Sequence, residues 1–132
     1  MAPKVLDSYA LMAFFGDEPG ADLVRELILK AEDNKVNLLM SVVNLGEVWY
    51  SIARTTSPEI ADQYVGEING MAIEIVDVDW QLTRQAAEFK ADGNISYADC
   101  FAAALAKIKK AELITGDNEF KQLDGEIKIS WI

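Results

Sequence analysis

Apolar positions along the chain follow two rhythms. Short runs at Lys4 to Asp7, Val36 to Met40, Ala72 to Val78, Glu112 to Thr115 and Ile127 to Trp131 read as five strands. Between them apolar residues recur every three or four positions, as in a helix. Leu23, Val24, Leu27, Ile28 and Ala31 mark one over Ala21 to Asp33, and Ile60, Ala61, Tyr64, Val65 and Ile68 form the stripe of another. Punctuation agrees with this division. Gly16 stops a short helix from Ser8 to Phe15, with a loop from Asp17 to Gly20, and Ser41 or Asn44 caps a helix reaching Thr55. Ser57-Pro58-Glu59 opens the next with a hydroxyl cap and a proline at the first position, and Gly70 closes it. Asp79 caps Trp80 to Lys90, and Ser96 caps an alanine-rich helix from Tyr97 to Lys109 suited to close packing on a sheet. Asn118 to Leu123 forms a last helical turn. Strands alternating with helices predict βαβ units on a parallel sheet, a three-layer α/β fold.

Length and composition narrow this picture. The 132 residues, 51% apolar and 26% charged, suit one domain spanning 1–132, and no repeat, linker or low-complexity segment interrupts them. The longest apolar runs are about half of the roughly 20 residues that span a bilayer, and the first residues, lacking a long apolar run, are not expected to act as a signal peptide. A single cysteine, Cys100, cannot form an internal disulfide, so a reducing, cytoplasmic compartment is expected. The absence of histidine excludes a Ser-His-Asp triad, a Cys-His pair, a histidine zinc site and two-histidine RNA cleavage. Hydrolytic chemistry would rest on carboxylates, with a hard cation as the economical partner. A net charge of −10 opposes binding a polyanion by overall attraction and requires local neutralisation.

In an open parallel sheet ligands gather at the carboxyl ends of the strands, where the strand order reverses. Asp7 closes the first strand and Asp117 follows the fourth after Thr115-Gly116. Asp99 shares a helix face with Ala102, Ala103 and Ala106, and so points toward the core side. Glu47 shares its face with Val43, Tyr50, Ser51 and Arg54 in an apolar stretch, which predicts a carboxylate pushed toward the interior. Each acid also has a plain structural use. Ser96-Tyr97-Ala98-Asp99 fits a capping box, Asp7 and Asp117 suit helix caps, and Glu47 can pair with Arg54. Spacing leaves the two readings balanced.

Four stretches together resemble the PIN-domain ribonucleases, of the small VapC type found in toxin–antitoxin pairs. They are Val5-Leu6-Asp7-Ser8-Tyr9, Ser41 to Val48 around Glu47, Tyr97 to Ala106 around Asp99, and Leu113 to Phe120 with the T-x-D-x-x-F pattern around Asp117. The resemblance implies a five-stranded parallel PIN-like sheet in the order 3-2-1-4-5. It implies that Asp7, Glu47, Asp99 and Asp117 hold Mg²⁺ or Mn²⁺, with Asp7 and Asp99 as direct ligands and Ser8 and Thr115 hydrogen-bonding from behind. The activity implied is phosphodiester hydrolysis in RNA, tRNA or rRNA above all, by a homodimeric toxin silenced by a cognate antitoxin. Tyr9 departs from the pattern, standing where a small or hydroxyl residue is common.

Contacts to such an RNA are candidates at Arg54, Arg84, Lys90 and Lys121, each of which also reads as ordinary surface charge. Lys107, Lys109 and Lys110 lie at the far end of their helix and read as structural. Trp49, Tyr50, Phe14, Phe15 and Trp80 suit partner contacts or core. The alternative function is a non-catalytic PIN-like binding module that retains the metal site. A receiver domain would need an acidic pair at the first strand, and a haloacid-type phosphatase a D-x-D where Tyr9 now stands.

Overall fold

Five parallel strands make one sheet: β1 (Lys4–Leu6), β2 (Leu38–Ser41), β3 (Ile73–Val76), β4 (Glu112–Thr115) and β5 (Ile129–Trp131), in the order β3-β2-β1-β4-β5. The computed structural model describes residues 2–132. Register places Val5 beside Leu39 on one side and Leu113 on the other, so β1 is the sheet's central strand. Successive strand residues face opposite ways. Val5, Leu39 and Leu113 therefore join one core, while Leu6, Leu38, Met40 and Ile114 join another on the opposite face.

Helices α1 (Ser8–Phe15), α2 (Ala21–Glu32), α3 (Val42–Thr55) and α4 (Pro58–Asn69) supply the second core. Helices α5 (Trp80–Asp92) and α6 (Tyr97–Lys109) supply the first, with a 3₁₀ turn at Asn118–Leu123. Every residue from Asp99 to Ala106 is buried, as the alanine-rich text predicts. Small side chains let α6 approach β1, β2 and β4 while α5 covers its outer side. No helix among the described residues is long and apolar enough to cross a membrane.

Elements agree with the sequence in kind and order and differ at their ends. The second strand starts at Leu38 rather than Val36, the third stops at Val76, and the fifth begins at Ile129. Val78 lies exposed beyond the third, and Ile127 forms only an isolated bridge with Asp124. Ser41, not Asn44, caps α3, because its hydroxyl accepts from Val43 N–H while Asn44 turns fully inward. Ala61 and Ile68 carry the buried stripe of α4, and Ile60 is exposed.

Strand order reverses at β1 and β4, so their carboxyl ends open a crevice between the two halves of the sheet. The 3₁₀ turn beside this crevice is anchored by Phe120, a fully buried ring in the α5–α6 core. Phe120→Ala should cost about 3–5 kcal/mol of stability, seen as a lower urea midpoint.

Candidate active site

Asp7 follows β1 directly and caps α1, its Oδ1 accepting from Ala10 N–H at 2.9 Å. Its Oδ2 accepts from the hydroxyl of Thr115, the last residue of β4. The register that pairs Leu6 with Ile114 brings these next residues side by side. Thr115 Oγ1 in turn accepts from Asp117 N–H at 3.0 Å, so one hydroxyl joins the ends of two strands to a third position. Only 1% of Asp7 is exposed. Burial pushes its pKa up to about 7, and the charges of Asp117 and Glu47 add to the effect against the lowering hydrogen bonds from Thr115 and Ala10.

Asp117 caps the 3₁₀ turn by accepting from Glu119 N–H at 2.9 Å, which turns Glu119 back toward the N-terminus of α6. There Ser96 Oγ accepts from Asp99 N–H at 3.2 Å, one half of the expected capping box. The reciprocal half is made by another residue: Ser96 N–H donates to Glu119 Oε2 at 3.4 Å. Relieved of the cap, the Asp99 carboxylate faces the crevice. Asp99, Asp117 and Glu119 each offer an oxygen, all within 4.8 Å of one another. Asp99 rises to about pKa 9, first through burial, then through hydrogen bonding with Glu119 and Asp117 and the charges of Asp117 and Glu47.

Glu47 completes the rim from α3. Its Oε1 accepts from Ser8 Oγ at 2.9 Å and from Asn44 Nδ2 at 3.0 Å. It is half-buried rather than driven into the interior, because these donors hold it at the crevice edge. It has no ion pair with Arg54, whose guanidinium lies over the Tyr50 ring at 4.8 Å. Asn44 Nδ2 also donates to Ala98 C=O at 3.1 Å, tying α3 to the first turn of α6. Its Oδ1 is buried with no partner among the described residues.

All four predicted acids thus surround one crevice, and Ser8 and Thr115 each hydrogen-bond one of them. Glu119 and Asn44 escaped the sequence reading as site residues. Glu119 sits inside the T-x-D-x-x-F stretch, and the only signal was an acid two positions after Asp117 on a turn. The donor set is all oxygen, and the buried Cys100 Sγ approaches Ile95 C=O instead. Such a set fits a hard divalent cation, which would offset the mutual repulsion of the carboxylates.

The proposed RNA-contact cations are mostly engaged elsewhere. Lys90 donates to Ile95 C=O at 2.8 Å, Arg84 pairs with Glu88 at 3.3 Å, and Lys121 is exposed. Lys107 pairs with Glu126 and lies over Phe89, at the sheet's opposite end. Of the aromatic residues, Trp49 donates to Asp62, Phe14 and Phe15 pack in the α1–α4 core, and Tyr50 and Trp80 are exposed.

The raised acids set a pH dependence. Both folded-state values exceed the ordinary 3.8, so the stability they contribute is full below that pH and is lost as pH rises through about 7 for Asp7 and about 9 for Asp99. In EDTA the melting temperature should therefore fall across this window, with a shallower slope in Asp7→Asn. Added Mn²⁺ should offset the fall, increasingly at higher pH. Asn44→Ala should weaken Mn²⁺ binding about 10–100-fold by freeing Glu47, measured by calorimetry.

A PIN-domain family model matches residues 4–126. No curated protein sequence matches the chain. Among solved structures it is similar to VapBC2 from Rickettsia felis bound to a promoter DNA fragment, at TM-score 0.76 and 18% identity over 96% of both chains. DNA-bound VapBC from Salmonella typhimurium gives TM-score 0.76 and 18% identity over 98% of both chains. VapC20 from Mycobacterium tuberculosis, a sarcin–ricin loop cleaving toxin, gives 0.69 and 16% identity over 90% of this chain and 93% of that one. With the family model matched over nearly the whole sheet and its crevice, this chain belongs to the PIN-domain family.

Proposed function

We propose that this protein is a metal-dependent endoribonuclease and the toxin of a toxin–antitoxin pair. One observation carries the reading: Asp99, Asp117 and Glu119 converge within 4.8 Å at the switch point of the sheet, with Asp7 and Glu47 beside them. Stacking acids there costs stability in the free protein, and a cation explains why the cost is kept. The folds of VapC20 and of the VapBC complexes support the choice of RNA and of an antitoxin partner. We assign tRNA or rRNA as the substrate class, the cytoplasm as the compartment, residues 1–132 as one catalytic domain, and a homodimer as the assembly.

Asp99, Asp117 and Glu119 would hold Mg²⁺ or Mn²⁺, with Asp7 and Glu47 completing the charge around it. When bound, such an ion lowers the pKa of water and neutralises charge on the phosphoryl oxygens. The chain's own residues arrange the rest. Thr115 holds Asp7 and the Asp117 backbone in fixed relation, and Ser8 and Asn44 keep the Glu47 carboxylate directed at the crevice. Glu119, the most exposed of the acids, can take a proton from the attacking water as the water oxygen bonds to phosphorus and the P–O ester bond breaks, with the departing ribose oxygen protonated from solvent.

Incubation with a tRNA and rRNA pool should give cuts that require Mg²⁺ or Mn²⁺ and vanish in EDTA. Asp99→Asn and Asp7→Asn should lower the rate by more than about 100-fold, beyond the loss usual for residues behind a metal's ligands. An inactive wild type whose melting temperature still rises with Mn²⁺ would overturn the nuclease and favour the binding module.

A further inference from the structure

Tyr9 stands two residues after the first acid, and the structure gives it a specific seat. Its ring lies against the backbone of Gly116, where an added Cβ would stand 2.3 Å from Cε1 and 2.7 Å from Cζ. Only glycine leaves room for that approach, and Gly116 lies between Thr115 and Asp117, two residues of the acid site. The phenol is thus fixed to the loop that carries the carboxylates, yet 44% of Tyr9 remains exposed. It is not alone. Val42, Val78, Trp80, Tyr97 and Trp131 are exposed large side chains at strand ends or helix starts on the same carboxyl edge.

This edge must attract a polyanion to a protein of net charge −10, with Lys90 and Arg84 already engaged. Aromatic stacking supplies affinity without Coulomb attraction, because every base has a π-face. A base within a duplex has both faces covered by its neighbours, so only an unpaired base can lie on such a ring.

Resting on the ribonuclease reading above, we infer that Tyr9 is a positioning residue that stacks an unpaired base beside the scissile phosphate. The ring would add affinity for the bound strand by stacking rather than by charge. Binding should then depend weakly on salt, in contrast to phosphate-neutralising proteins.

The test uses a short single-stranded oligoribonucleotide carrying 2-aminopurine at successive positions, and the same strand annealed to its complement. Binding is read by fluorescence anisotropy, stacking by 2-aminopurine quenching, and turnover by cleavage in Mn²⁺. Expected for wild type is preference for the single strand, a shallow salt dependence, and quenching at one position. Tyr9→Leu should raise KM and Kd about tenfold or more and abolish the quenching, with a smaller change in kcat. Tyr9→Phe, which keeps the ring, should restore both. Calorimetric Mn²⁺ binding should be the same in all three proteins, showing that the acid site is intact. An unchanged Kd in Tyr9→Leu, or equal loss in Tyr9→Phe, overturns the stacking role and leaves Tyr9 as packing or a protein contact. Binding with Tyr9-dependent quenching but no cleavage supports the stacking and overturns the nuclease. No RNA binding, with Mn²⁺ binding retained, overturns both.

Discussion

The hydrogen bond from Thr115 to the buried Asp7 carboxylate fastens the ends of the two central strands at the point where the sheet divides. Much else depends on it. The same hydroxyl receives the Asp117 N–H, which sets the start of the 3₁₀ turn, and that turn presents Glu119 to the N-terminus of α6. A single threonine thereby orders acids from β1, the β4 loop and α6. Burial pushes the Asp7 carboxylate up to about pKa 7, and the threonine bond works in the opposite direction, favouring the charged form.

Local and functional uses of the acids do not compete here. Asp7 caps α1 with one oxygen and meets Thr115 with the other; Asp117 caps the turn and still reaches the cluster. A carboxylate has about four lone-pair directions, so one cap leaves capacity for a second partner. Asp99 takes a different route. Glu119 fills the reciprocal place of its capping box and leaves the aspartate unsatisfied except within the cluster. The acids that serve as caps position the group by rigid backbone, as a site holding a hard cation between separate elements needs.

Charge and shape at the crevice point the same way. The carboxyl edge gathers negative groups and exposed aromatic rings, whereas the lysines at the end of α6 lie at the other edge beside Glu126. On the proposed function, such a surface would take an anionic chain through a cation and through stacking rather than through broad electrostatic attraction. Gly116 belongs to this arrangement as much as the acids do, since its missing side chain makes the seat for Tyr9.

Periodicity alone carried the element order, because burial on one helical face or in a strand run is written in every third, fourth or successive residue. The caps Asp7, Ser57, Asp79 and Ser96 were equally legible, for the side chain and the N–H it serves lie within three residues. Absence of histidine already confined the chemistry to carboxylates. Glu119 and Asn44 were not legible, since their partners Ser96 and Ala98 are brought close only when α6 packs beside the 3₁₀ turn and α3. The half-burial of Glu47 likewise follows from Ser8, 39 positions away in the chain. Hydrophobic pattern and capping are short-range properties that a sequence states directly; the raised pKa values of Asp7 and Asp99, the convergence of the acids and the seat of Tyr9 arise from through-space contacts, and those only the tertiary structure decided.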